Sequence, residues 1–426
     1  MGPKRNSKKV ISTSKVKVEH TDDSSNIDTT SIASSDIQSI VDEGLGLEAE
    51  EQTEVDQIEE KLKDAIDLTT QKSQQGRVSA LKTLCNFLSL KYLPYFVFDR
   101  RMTLQDCAER ALKKGKCAEQ QEGGKLASLL CFQMGPTLDT ETLYKDMRSL
   151  FLTLINDTSL GIGAREQCCY TLSILCFVAS HNLEEIEDIM KALSNVFKQK
   201  LPSDSPQLSA LHSAALASWS LLYTLLPSKR VYDSAEANVT MLLKLLESGD
   251  VDLRITAGEA IALVYEGARD FDDEFTLAND SEDKNTGDLE SELCNMLKSL
   301  ATDSQKFRAK KDRRQQRSSF RDVLRAVEEG DTPDVHIKFG TEVLVLDSWS
   351  RKKQYDAICQ VLGSGMNLHL AENEFLRDIF DLGPPMLVGG VTTKVSKSER
   401  HAMNMANFKS RSIARQKNRD KRVAAF

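Results

Sequence analysis

Two groups of basic residues carry the chemistry most legible in this chain. Lys306 to Arg317 holds seven Lys or Arg against one acid, Asp312. Ammonium and guanidinium groups at that density neutralise phosphate, and Arg adds a planar fork of donors that matches a phosphate oxygen pair. If the stretch is helical, Lys306, Lys310, Arg313, Arg314, Arg317 and Arg321 fall within an arc of about 100°. That makes a one-sided stripe of positive charge. A basic run also serves as a solvated helix face or a nuclear-import signal. This run is distinguished by the residues C-terminal to it: Phe320, Val323, Leu324 and Val327 at i, i+3, i+4 and i+7, one apolar helix face. Ser319 and Asp322 read as a capping-box start for a helix over 318–329. A charged stripe tied to an apolar face predicts a positive edge fixed on a scaffold.

The second group is the end of the chain, Lys394 to Phe426, with ten Lys or Arg and two acids. Arg400, Lys409, Arg411, Arg415, Lys417, Arg419, Lys421 and Arg422 supply its charge. Its apolar residues (Met403, Met405, Phe408, Ile413) form no stripe, so nothing in the pattern docks it on a core. It is expected to be a mobile arm that orders on a polyanion, RNA foremost, or to act as an import signal.

No other chemistry rises from the residues. There is no phosphate-binding glycine loop and no H-E-x-x-H pair. Gly161-Ile162-Gly163 lacks a third glycine and a preceding strand, so it reads as a turn between helices. The six histidines are scattered, and His212 sits in a helical pattern as a packing residue. The nine cysteines include no C-x-x-C pair and no zinc spacing; most lie on apolar faces as small hydrophobes. The expectation is a non-enzymatic binding protein with no cofactor, no metal and no small-molecule substrate.

Composition sets the frame. Of 426 residues, 40% are hydrophobic and only 9 are proline, which favours helices and allows a sizeable core. No apolar run approaches the roughly 18 residues that span a bilayer, and the N-terminus has no apolar leader core. With its cysteines read as free, the chain is expected in a reducing compartment, cytoplasm and nucleus, as a monomer. The formal net charge of −8 hides an asymmetry: residues 301–426 carry 24 basic and 16 acidic groups, whereas residues 1–60 carry 6 and 14. Opposite signs point to a polyanion partner for the C-terminal third.

The elements that must hold these groups are repeated helices. Five segments look alike: 76–88, 123–134, 163–177, 211–226 and 253–268. Each places a small residue (Ala80, Ala127, Cys168, Ala215, Ala257) at the same point after a turn, at intervals of 47, 41, 47 and 42 residues. That is the armadillo and HEAT period of about 40–47 residues. Small residues let successive helices approach, and each unit buries its apolar face only by stacking on its neighbours. The predicted fold is all-α: an armadillo/HEAT-like helical-repeat solenoid with a small C-terminal α+β appendix. The organisation expected is a basic-then-acidic disordered tail over 1–53, repeats over 54–330, an appendix over 331–393 packed on the last repeat, and the basic arm over 394–426. Within the appendix, 335–339 and 342–346 read as a hairpin about Gly340.

Several stretches resemble the interferon-related developmental regulator family. They are FDRRMTLQDCAERALKKGK (98–116), AGEAIALVYEGAR (257–269), LATDSQKFRAKKDRRQQRSSFRDVLRAVEE (300–329), VLGSGMNLHLAENEFLRDIFDLGPP (361–385) and ERHAMNMANFKSRSIARQKNRDKR (399–422). The resemblance covers residue 54 to the end. It implies an armadillo-like fold, no enzymatic activity and a regulatory role in differentiation. It implies two settings: the ribosome and its rRNA, where the basic C-terminal element lies in the mRNA path of a non-translating particle, and the nucleus, as a transcriptional co-regulator in histone deacetylase co-repressor complexes. Arg400, Lys409, Arg411, Arg415, Lys417, Arg419, Lys421 and Arg422 match that basic element.

Overall fold

Helices succeed one another from Leu47 in a computed structural model, which describes residues 47–199, 206–277, 286–302 and 310–385. In chain order they are α1 (Leu47–Leu68), α2 (Gln74–Leu90), α3 (Pro94–Lys114), α4 (Cys117–Met134), α5 (Leu138–Asn156), α6 (Ile162–Ala179), α7 (Leu183–Phe197), α8 (Pro206–Tyr223), α9 (Ser228–Leu246), α10 (Val251–Arg269), α11 (Thr286–Thr302) and α12 (Lys310–Glu329). A two-stranded antiparallel sheet comes next, β1 (Val335–Phe339) with β2 (Glu342–Leu346), Val335 opposite Leu346 and Phe339 opposite Glu342. The last elements are α13 (Trp349–Leu362), a 3-10 turn (Gly363–Gly365), α14 (Met366–Glu372) and α15 (Glu374–Ile379). The chain up to Glu54 is a unit of its own, and Val55 onward forms a second.

Local chemistry starts many of these helices. The side chains of Ser73, Thr137, Asn182, Asp250, Ser348 and Asn373 accept first-turn N–H groups of α2, α5, α7, α10, α13 and α15. Each such cap satisfies donors that a helix leaves unpaired.

The helices form two rows. Each even-numbered helix from α2 to α12 packs on the next even one, and each of α3, α5, α7, α9 and α11 packs on the even helix that comes after it. The odd helices touch one another far less, so they lie on the outside of a curve and the even row lies inside. The small residues that set the period are on the inner row, and Ala80, Ala127, Cys168, Ala215 and Ala257 are all buried. The period is also visible in polar contacts between successive units: Arg101–Asp139, Ser128–Thr171, Ser213–Thr256 and Arg230–Glu187. An armadillo-like solenoid is the result, as the sequence predicts, and its apolar residues make one continuous core.

α12 differs from the expectation at its start. It is one helix from Lys310 to Glu329, so Ser319 and Asp322 lie inside it rather than at its first turn. Lys, Arg and Gln are good helix formers, and the basic half extends the helix rather than leading into it. Phe320, Val323 and Val327 are buried, with Leu324 partly so.

The segment after α12 departs further. The hairpin forms as predicted. Of the range 331–393, the described part ends at 385, and its contacts run from α10 along the inner row to α2. α13 touches α10 and α8 at one end and α4 and α2 at the other; α14 and the 3-10 turn rest on α2. A 14-residue helix is about 21 Å long. Neighbouring packed helices are 8–10 Å apart, so α2 to α10 along a straight row would need roughly 32–40 Å. One short helix reaching both places α13 across the inner row.

Candidate functional site

The basic edge is built on α12. Phe320 is held against Gly258 of α10, where a Cβ would stand only 2.8 Å from the ring. Arg254 of α10 donates to Gln316 Oε1 at 2.5 Å, and Gln316 Nε2 donates to the Leu300 carbonyl at 3.3 Å. At the other end, Arg269 donates to the carbonyls of Ala326 and Val327, both at 2.5 Å, and so caps the C-terminus of α12 with positive charge. Lys298 of α11 meets Glu328 at 2.7 Å. The helix is clamped along its length.

Fixing the apolar face fixes which cations look outward. Lys310, Lys311, Arg314 and Arg321 are exposed, whereas Arg313 and Arg317 are half-buried and the Arg313 Nε is enclosed without a hydrogen-bond partner. The six-residue stripe is therefore narrower than its helical arc suggests, because Arg313 and Arg317 border the buried side of Gln316 and Phe320. Lys310, Lys311, Arg317 and Arg321 make no ion pair among the described residues. Several cations elsewhere are paired: Arg77 with Glu119, Arg148 with Glu185 and Asp188, Lys352 with Glu259, Arg377 with Glu342. Lys306 and all the tail candidates (Arg400, Lys409, Arg411, Arg415, Lys417, Arg419, Lys421, Arg422) lie outside the described residues.

A second constellation, which the residue patterns did not reveal, closes the hollow of the inner row. Glu266 of α10 accepts the backbone N–H groups of Trp349 (2.6 Å) and Ser350 (2.9 Å) and the Ser350 hydroxyl (2.9 Å). A half-buried carboxylate thus caps the N-terminus of α13. Burial raises the Glu266 pKa, and these hydrogen bonds oppose the rise. Two turns earlier on α10, Glu259 receives Lys352 Nζ at 2.8 Å. Burial pushes the Glu259 carboxyl up, but Lys352 and Lys353 outweigh it and hold it below the usual carboxylate range. Gln354 donates to Thr224 Oγ1 at 3.0 Å and Asn373 to the Phe132 carbonyl at 2.7 Å. Gly365 lies so close to the end of α2 that a Cβ would meet the Ser89 carbonyl at 1.7 Å. His369 is fully buried, edge-on to Tyr92 at 5.9 Å, and burial pushes its pKa down to about 4. Arg377 grips Glu342 with two bonds of 2.9 and 2.8 Å and so ties the hairpin to α15. The sequence signal was the pair of family-like stretches 257–269 and 361–385, which carry no mark of being neighbours. Glu259 and Glu266 come from the first, and Gly365, His369, Asn373 and Arg377 from the second.

The remaining candidates are structural. His212 is buried, and burial lowers its pKa. Cys85, Cys107, Cys131, Cys168, Cys169 and Cys176 are buried free thiols, and burial pushes Cys176 up to about 11. Such thiols are poor nucleophiles. Among the described residues no cluster of His, Cys, Asp and Glu could hold a metal ion, and no helix is long and apolar enough to cross a membrane.

Known proteins place the chain. Residues 26–328 match the model of the interferon-related developmental regulator family, and residues 373–423 match that of the interferon-related protein conserved region. Interferon-related developmental regulator 1 of Homo sapiens is 42% identical over 94% of this chain and 89% of its own length; that of Sus scrofa is 42% identical over 94% and 90%. Interferon-related developmental regulator 2 of Mus musculus is 39% identical over 93% and 90%. Among solved structures, a designed armadillo repeat protein aligns with 62% of this chain and 99% of its own at 16% identity and a TM-score of 0.38. With its helical-repeat architecture and these relatives, the chain belongs to the interferon-related developmental regulator family.

Proposed function

We propose that this protein is a non-enzymatic regulator of translation that binds rRNA through α12, with Lys310, Arg314 and Arg321 on its outward edge and the half-buried Arg317 beside them, and places the arm 394–426 in the mRNA path of a non-translating ribosome. The observation that carries this reading is a row of exposed cations, Lys310, Arg314 and Arg321, on a clamped helix. A rigid positive edge fixes orientation on a phosphate lattice, and a long basic arm then tracks the strand. Family membership and the +8 balance of residues 301–426 support it. The alternative is a nuclear adaptor for histone deacetylase co-repressor complexes. Partner peptides lying along the inner row would meet a face that α13 to α15 already cover, which favours the RNA reading.

Sucrose-gradient sedimentation with purified ribosomes, with and without nuclease, tests it. Lys310→Glu with Arg314→Glu and Arg321→Glu is expected to weaken association by about a hundredfold or more and to lower the salt slope by about 2–3, at unchanged helicity. Deletion of 394–426 is expected to abolish co-sedimentation while the repeats stay folded. Co-sedimentation at wild-type level in both variants overturns the reading.

A further inference from the structure

We propose that the cavity where α7 and α9 end binds a small molecule with an aliphatic body and a carboxylate head. The cavity is about 660 Å³, within the range of small-molecule sites. Its apolar lining comes from Phe197 of α7, Met241 and Leu245 of α9 and Leu253 of α10. Phe197 and Leu253 are buried, and Met241 and Leu245 are half-buried, so the apolar wall continues from the core to the surface. Besides its packing role, His212 of α8 lines the same cavity. It is 2% exposed, and its Nδ1 is enclosed without a hydrogen-bond partner. Buried polar atoms nearly always have a partner, and a ligand in the cavity would give the ring one.

The uncommitted donors decide the head group. Lys198 and Lys244 line the cavity, are exposed, and make no ion pair among the described residues. Their long stems let the ammonium groups follow a head group inward. Burial and the Arg165 charge lower the His212 pKa, so the ring is neutral near pH 7 and keeps one N–H to donate. The acid in the lining is Glu247, which leaves the lining with one net positive charge. Asp250, close by in the chain, is occupied by the Leu253 N–H as the cap of α10. A carboxylate accepts from an ammonium and from an imidazole N–H alike and has no proton of its own to place. An ammonium head would set its charge against two lysines, and an uncharged head would leave them unused. The site is separate from the α12 edge and does not rest on the RNA reading.

The test titrates dodecanoate, dodecylammonium and 1-dodecanol into the full chain by isothermal titration calorimetry, each below its micellar or solubility limit. Salt is held at about 0.15 M, where long-range charge effects are screened. Dodecanoate is expected to saturate a single site and to bind at least about tenfold more tightly than the other two probes. Lys198→Ala with Lys244→Ala is expected to weaken it about tenfold, and His212→Phe, which keeps a ring and removes the N–H, about three- to tenfold. Ala237→Trp, at an exposed position of the lining, is expected to block binding. The Ala and Trp substitutions are at exposed positions, so unchanged circular dichroism separates lost binding from lost fold. In the wild type the His212 ring signals are expected to shift in proton NMR as dodecanoate is added. Absence of saturable dodecanoate binding, equal binding of the three probes or tighter binding of dodecylammonium overturns the proposal. So does undiminished binding in Ala237→Trp or in the double lysine variant.

Discussion

Two segments cover the inner row, and they do so by different means. α12 covers α10 as one more repeat. Its central contact is a fitted apolar one, Phe320 against the bare backbone of Gly258, with polar bonds from Arg254 to Gln316 and from Arg269 to the Ala326 and Val327 carbonyls on either side. The returning segment α13 to α15 also buries apolar side chains, Ile358, Leu370, Leu376 and Phe380 among them. It is placed, however, by directional polar contacts: Glu266 at its first turn, Lys352 with Glu259, Asn373 on the Phe132 carbonyl, His369 beside α2. Apolar stacking is tolerant in direction and indifferent to pH. Polar anchoring selects one placement and carries a titration with it. Both segments combine the two kinds of contact; the apolar fit is sharpest at α12, and the titrating group lies in the returning segment.

The sharpest break of the comparison is at Phe320. Phe320→Ala is expected to destabilise the protein by about 3–5 kcal/mol in urea unfolding, the usual cost of emptying a packed aromatic site. Amide protection of α12 should fall before that of α13. A loss below about 1 kcal/mol would show that the fitted contact is not what holds α12.

Protonation acts on the other segment. The folded-state pKa of His369 is about 4, below its ordinary value of about 6.5, so the unfolded chain binds more protons between those pH values. The stabilisation is complete above about pH 6.5 and is lost as pH falls toward about 4, in total about 3 kcal/mol. Hydrogen exchange, corrected for its intrinsic pH dependence, should show 366–382 loosening over that window while 316–327 does not. His369→Phe should remove the difference; a pH response shared equally by both segments would contradict the distinction.

The smallest expected effect is at the cap. Glu266→Ala removes the acceptor of two N–H groups and should cost about 1–2 kcal/mol, with faster exchange confined to the first turn of α13. Exchange that rises equally in α12 would mean that the two coverings are one cooperative unit.

The repeats were legible because their cause is local. A unit of about 45 residues contacts its neighbours, so period, small residues and apolar faces all recur along the chain. Ala80, Ala127, Cys168, Ala215 and Ala257 sit buried on the inner row for that reason. The placement of 331–385 was not legible. It depends on how far the inner row curves, and curvature sums small rotations over every repeat. Trp349 meeting Glu266 and Gly365 meeting Ser89 are contacts across 83 and 276 positions, which no periodicity announces.

For this protein, the sequence alone determined the helical-repeat class, the hairpin about Gly340, the family and the concentration of positive charge on α12. These arise from nearest-neighbour chemistry: spacing, propensity and composition. The tertiary structure decided which of those charges face outward, since packing against α10 turns Arg313 and Arg317 partly inward and leaves Lys310, Arg314 and Arg321 exposed. It also made Glu266 a helix cap. The side chains carry the same chemistry in either state; only packing sets which of them meet each other and which meet solvent.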